Sequence, residues 1–96
     1  MKYTVTVKPR AEKELINLPG QDYKRIMLRI RALEENPRPS GVIKLKTKNN
    51  WRIRVGEFRV IYEINDAVKL VEIVDVLRRN EKTYKGLEKP VGSSEA

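Results

Sequence analysis

The sequence predicts an α+β fold in which two N-terminal helices pack on one face of a mostly antiparallel sheet, in the order β-α-α-β-β-β-β. Three observations predict it. The chain opens on a period-two segment, continues into two helical-period segments, and then gives four strand-like runs separated by turn residues. With 96 residues it holds one domain, placed at 1–87, and the small, polar run EKPVGSSEA at 88–96 reads as a flexible tail.

Tyr3, Val5 and Val7 alternate with polar residues, so the first segment is a half-buried strand that stops at Pro9, a residue suited to a first helical turn. From Arg10, Ala11, Leu15 and Leu18 recur at helical spacing until Pro19-Gly20. Asp22 caps a second helix through Glu35, in which Tyr23, Ile26, Met27, Ile30 and Leu33 form an apolar stripe and Lys24, Arg25 and Arg31 a charged face. After the breaker-rich PRPSG come the strands VIKLK, WRIRV, FRVIYEI and VKLVEIVDV. The last, Val68 to Val76, is apolar at both parities and reads as a central strand. RRNEKTYKGL then forms a short terminal helix or turn carrying Arg78, Arg79, Tyr84 and Lys85.

Val55-Gly56-Glu57-Phe58 is a two-residue hairpin with Gly56 at the first central position of a type II′ turn. The register follows: Val55 opposes Phe58, Arg54 opposes Arg59, Ile53 opposes Val60, Arg52 opposes Ile61, and Trp51 opposes Tyr62. Trp51, Ile53, Val55, Phe58, Val60 and Tyr62 then face the helices, and Arg52, Arg54 and Arg59 share the other face. Directly opposed like charges destabilise a sheet by up to about 1 kcal/mol. The arginines either fan into solvent and pair with an acid such as Glu72, or they form an anion site, because the guanidinium fork fits phosphate.

Composition narrows the chemistry. Lysine and arginine total 21 against 13 acidic residues, a formal net charge of +8 that favours a polyanionic partner. Cysteine and histidine are absent, which excludes thiolate and imidazole metal sites, cysteine nucleophiles and Ser-His pairs. No phosphate-binding glycine loop and no carboxylate cluster of metal-site spacing occurs, so neither a metal nor another cofactor is expected. The N-terminus lacks a signal-peptide apolar region and no apolar run is long enough to cross a bilayer, so a cytoplasmic protein without membrane contact is expected. Tyr84 is either a half-buried tyrosine sealing the last turn or a phenol that stacks on a base or joins proton transfer.

RAEKELINL at Arg10 to Leu18, the ENPRP loop before a K-L-K strand, WRIRVGEFRVIYEI, and a late arginine followed by a tyrosine together resemble the RelE/ParE toxin superfamily, more closely its RelE branch. The resemblance covers Lys2 to about Leu87. It implies the toxin of a type II toxin-antitoxin pair, a metal-independent endoribonuclease that cleaves mRNA in the ribosomal A site by attack of the ribose 2′-hydroxyl on the adjacent phosphate and so inhibits translation. Carried over by position, Arg52, Arg54, Arg59, Arg79 and Tyr84 are its catalytic set, with Arg78 competing for the place of Arg79. Arg78, Lys85, Lys46 and Lys48 are its further RNA contacts. Arg52 and Arg54 stand where well-known members often have lysine, and arginine is a poor general base. The implied partners are a cognate antitoxin that wraps and inhibits the toxin, mRNA, and the small-subunit rRNA of the ribosome. The competing readings are a ParE-like inhibitor of DNA gyrase without nuclease activity and a non-catalytic basic RNA- or ribosome-binding domain.

Overall fold

In the computed structural model, which describes residues 2–46 and 49–78, the chain runs β1 (Thr4–Val7), α1 (Pro9–Ile16), α2 (Gly20–Ala32), β2 (Ile43–Lys44), β3 (Asn50–Val55), β4 (Phe58–Asn65) and β5 (Leu70–Arg78). The strands form one sheet in the order β1-β5-β4-β3-β2. β1 lies parallel to β5 and every other neighbour is antiparallel. Because β1 and β2 occupy opposite edges, α1 and α2 carry the chain across the sheet, which puts both helices on one face. The terminal helix expected after β5 falls outside the described residues.

Pro9 opens α1, where its missing N–H costs nothing, and Ala11 and Leu15 supply the buried side. α2 begins at Gly20 rather than at an Asp22 cap, with Pro19 preceding it and no side-chain cap. Pro19 sets an extended φ and ψ immediately before the helix, and its carbonyl accepts the Tyr23 N–H at 2.9 Å, so the cap position falls three residues earlier than Asp22. Asp22 remains in the first turn, where its charge suits the helix dipole. Ile26, Ile30 and Leu33 are buried as the stripe requires, whereas Tyr23 is exposed.

Those side chains pack on Ile53, Val55, Phe58, Val60, Tyr62, Ile64, Val71, Ile73 and Val76 to make the main core, with Trp51 against its rim. Tyr62 is fully buried, and its hydroxyl donates to the Pro37 carbonyl at 2.7 Å, tying the ENPRP loop under the sheet. Burial pushes the Tyr62 phenol far up. A second, smaller cluster of Leu45, Ile61 and Leu77, with Ile43 and Val74 against it, was not expected from the sequence.

β5 is an interior strand, flanked by β1 and β4, but it starts at Leu70 rather than Val68. The residues before it make the turn: Asn65 Oδ1 accepts from the Ala67 and Val68 N–H groups, and Lys69 takes φ 55°. Val68 is left exposed. The β4–β5 ladder also slips by one residue: Ile61 opposes Asp75 while Tyr62 opposes Ile73, so Val74 is the extra residue of a bulge.

Candidate functional site

The β3–β4 register is the expected one at every position, from Val55 opposite Phe58 to Trp51 opposite Tyr62. Gly56 has φ 60°, and Lys69 is the only non-glycine of positive φ among the described residues, so Glu57 does not share it and the turn is type II′. Local alternation therefore delivers Arg52, Arg54 and Arg59 to the face away from the helices, while Ile53, Val55, Phe58 and Val60 are buried on the other side.

Arg54 and Arg59 are direct cross-strand partners, which places their Cβ atoms about 5 Å apart. Arg52 lies two residues along β3, opposite Ile61. Arg54 is exposed and, among the described residues, makes no hydrogen bond or ion pair; Arg52 and Arg59 are half-buried. Arg59 is opposite Leu77 on its other side and Ile61 opposite Asp75. The buried Leu45, Ile61 and Leu77 thus floor the face from which the arginines rise. Glu72 does not neutralise the cluster: it lies opposite Glu63 and pairs with Lys8 at 3.9 Å.

Lys46 is exposed just beyond β2. Arg78 is the register partner of Phe58 and stands over its ring at 5.2 Å, on the helix side of the hairpin tip rather than beside Arg54 and Arg59. Lys48, Arg79, Tyr84 and Lys85 lie outside the described residues. Among the described residues no group of three acidic, histidine or cysteine side chains could hold a metal ion.

Asp75 is fully buried beside this face. Its Oδ2 pairs with Arg10 Nε at 3.1 Å and its Oδ1 accepts the Val76 N–H. These two contacts hold the carboxylate next to the bulge at Val74. Only the slipped register brings Asp75 into the row of Arg52 and Ile61, and no sequence pattern signals such a slip. Among the described residues, the acid held furthest below its ordinary value, Asp66, lies at the other end of the sheet. There Arg38 donates to both oxygens of Asp66, at 3.2 and 2.8 Å, and the Tyr3 hydroxyl donates to the same carboxylate. The site is thus a set of permanently charged arginines with apolar flooring, suited to holding a phosphate and stabilising charge that develops on it.

Residues 5–83 match the family model described as the ParE toxin of the type II toxin-antitoxin system parDE. The chain belongs to the RelE/ParE toxin family. A curated relative, the protein designated RelE1 of Methanocaldococcus jannaschii and a toxin by name, is 30% identical over 89 residues, spanning 88% of this chain and 98% of its own. The RelE of the archaeal RelE–RelB complex from Pyrococcus horikoshii superposes with a TM-score of 0.76 at 32% identity, over 85% of this chain and 100% of that one. The free RelE toxin of Escherichia coli, in variant form, shares the fold with a TM-score of 0.74 at 21% identity, covering 91% and 95%. The two helices and five-stranded mixed sheet of this toxin are accordingly a RelE-like fold.

Proposed function

We propose that this RelE/ParE-family toxin acts as a ribosome-dependent endoribonuclease of the RelE kind, cleaving mRNA in the A site without a metal. The observation that carries this reading is the direct opposition of Arg54 and Arg59, with Arg52 on the same face. A pairing that costs sheet stability is favourable once a phosphate lies between the forks.

In the reaction the 2′-oxygen forms a bond to the adjacent phosphorus, the bond from phosphorus to the 5′-oxygen breaks, and a 2′,3′-cyclic phosphate and a 5′-hydroxyl result. The 2′-hydroxyl loses one proton and the leaving oxygen gains one. Arg59 and Arg79 neutralise the phosphate as negative charge builds on its oxygens. Arg52 and Arg54 hold the backbone and orient the 2′-hydroxyl, and Tyr84 stacks on or protonates the cleaved step. An arginine set stabilises charge but removes no proton at neutral pH, so its contribution is electrostatic and positional.

Relatives of this fold from Pyrococcus horikoshii, Mycobacterium tuberculosis and Escherichia coli have been crystallised with RelB or as a RelBE toxin-antitoxin complex. An antitoxin whose acidic surface covers the arginine face is the corresponding partner here, since a chain of net charge +8 attracts it as readily as RNA. mRNA and small-subunit rRNA are the nucleic-acid partners, and the cytoplasm is where they are met.

Cell-free translation followed by primer extension tests the reading. New 3′ ends inside ribosome-occupied codons are expected, with the rate reduced about 10²- to 10³-fold in Arg59→Ala, the usual effect of losing one charge-stabilising donor. The matching family model is named for ParE, which favours gyrase inhibition as the second reading. Intact mRNA together with blocked DNA supercoiling would establish that activity instead.

A further inference from the structure

Arg25 lies on α2, in the other layer of the fold from Arg54 and Arg59, yet its guanidinium rests on the turn that joins their strands. A Cβ added at Gly56 would overlap Arg25 Nη2 and stand 3.3 Å from Cζ and 3.7 Å from Nη1, so the Nη2 end of the guanidinium occupies the space a side chain at position 56 would need. Gly56 thereby meets two demands: φ 60° at the first position of the turn, and room for the guanidinium. Asp22, one turn earlier on the helix, pairs with the same Nη2 at 3.7 Å.

We propose that Arg25 is a positioning residue for the arginine pair at the hairpin tip, bracing the Gly56 turn against α2 so that Arg54 and Arg59 converge on one phosphate. The role rests on the endonuclease reading above. Arg54 and Arg59 are the last polar pair before the turn, and like charges in direct opposition work against closure of the strand ends. Val55 and Phe58 hold the helix side of the tip through the core, Arg78 covers the Phe58 ring, and Arg25 closes the turn itself. The direction of two charged forks depends on that closure, and a displacement of about 1 Å at a reacting centre costs on the order of 10²-fold in rate.

Single-turnover cleavage of ribosome-bound mRNA tests the proposal with Arg25→Ala, Arg25→Lys, Gly56→Ala and the double variant Arg25→Ala/Gly56→Ala, each matched for urea midpoint. Arg25→Ala is expected to lower kcat about tenfold with KM and its salt dependence unchanged. Arg25→Lys, which keeps stem and charge but loses the plane, falls between. Gly56→Ala displaces Arg25, so the double variant cleaves no more slowly than Gly56→Ala alone. An unchanged kcat in Arg25→Ala overturns the role. A raised KM with a shallower salt dependence also overturns it, because that pattern marks direct contact with an RNA phosphate. Wild-type protein that cleaves nothing removes the endonuclease reading and this role with it, whereas active wild type with normal Arg25→Ala removes only this inference.

Discussion

Asp66 is the most heavily committed side chain at the end of the sheet remote from the arginines. The Arg38 hydrogen bonds, then that of Tyr3, hold its carboxyl down to about 2, and the same contact pushes the Tyr3 phenol up. A carboxylate whose folded pKa is depressed contributes stability above its unfolded value near 3.8, and that stability is lost as pH falls through about 2. Urea unfolding followed from pH 7 to pH 2 should therefore show wild type losing stability across that window relative to Asp66→Asn; parallel curves would mean that the Arg38 contact contributes nothing. Strong pKa shifts often mark active sites, but here they mark a clamp joining the PRPSG loop to the β4–β5 turn. At this scale the sequence was legible for Arg52, Arg54 and Arg59, whose shared face follows from alternation between near neighbours. It was not legible for Asp66 and Arg38, which are 28 residues apart and meet only when the sheet forms.

Among the elements, β3 and β4 were readable because a two-residue turn fixes their register by itself. β5 was readable in type and interior position, but its start and its bulge were not, because the Asn65 turn and the pairing with β1 are decided by partners far along the chain. The unexpected apolar cluster has the same origin: Leu45, Ile61 and Leu77 come from three strands and look isolated in each. β4 and β5 also oppose Glu63 to Glu72, a second like-charge pair, eased by Lys8 beside Glu72. Unlike the arginines, this pair serves no proposed chemistry, so Glu63→Lys should raise stability by about 0.5–1 kcal/mol in urea unfolding while cleavage is unchanged. A stability gain bought with lost cleavage would extend the site to that end of the sheet.

For the molecule as a whole, a charge of +8 predicts binding to RNA that weakens steeply with salt. If the Arg54–Arg59 pair neutralises one phosphate of a single strand and Arg52 a second, the log–log slope of affinity against salt is about −1.4, and Arg52→Ala should make it shallower by about 0.7. Fluorescence anisotropy with a labelled oligoribonucleotide reads this directly; an unchanged slope would place Arg52 off the backbone. The sequence by itself determined the α+β order, the hairpin, the two faces of that hairpin and the family, because each depends on periodicity, turn chemistry or motif order over short stretches of chain. Only the tertiary structure decided that the arginines stand on a floor of Leu45, Ile61 and Leu77, that Asp75 is buried against Arg10, and that Arg25 rests on Gly56. Each of those contacts joins elements distant in sequence, so it is fixed by how the layers and strands pack rather than by any local preference of the chain.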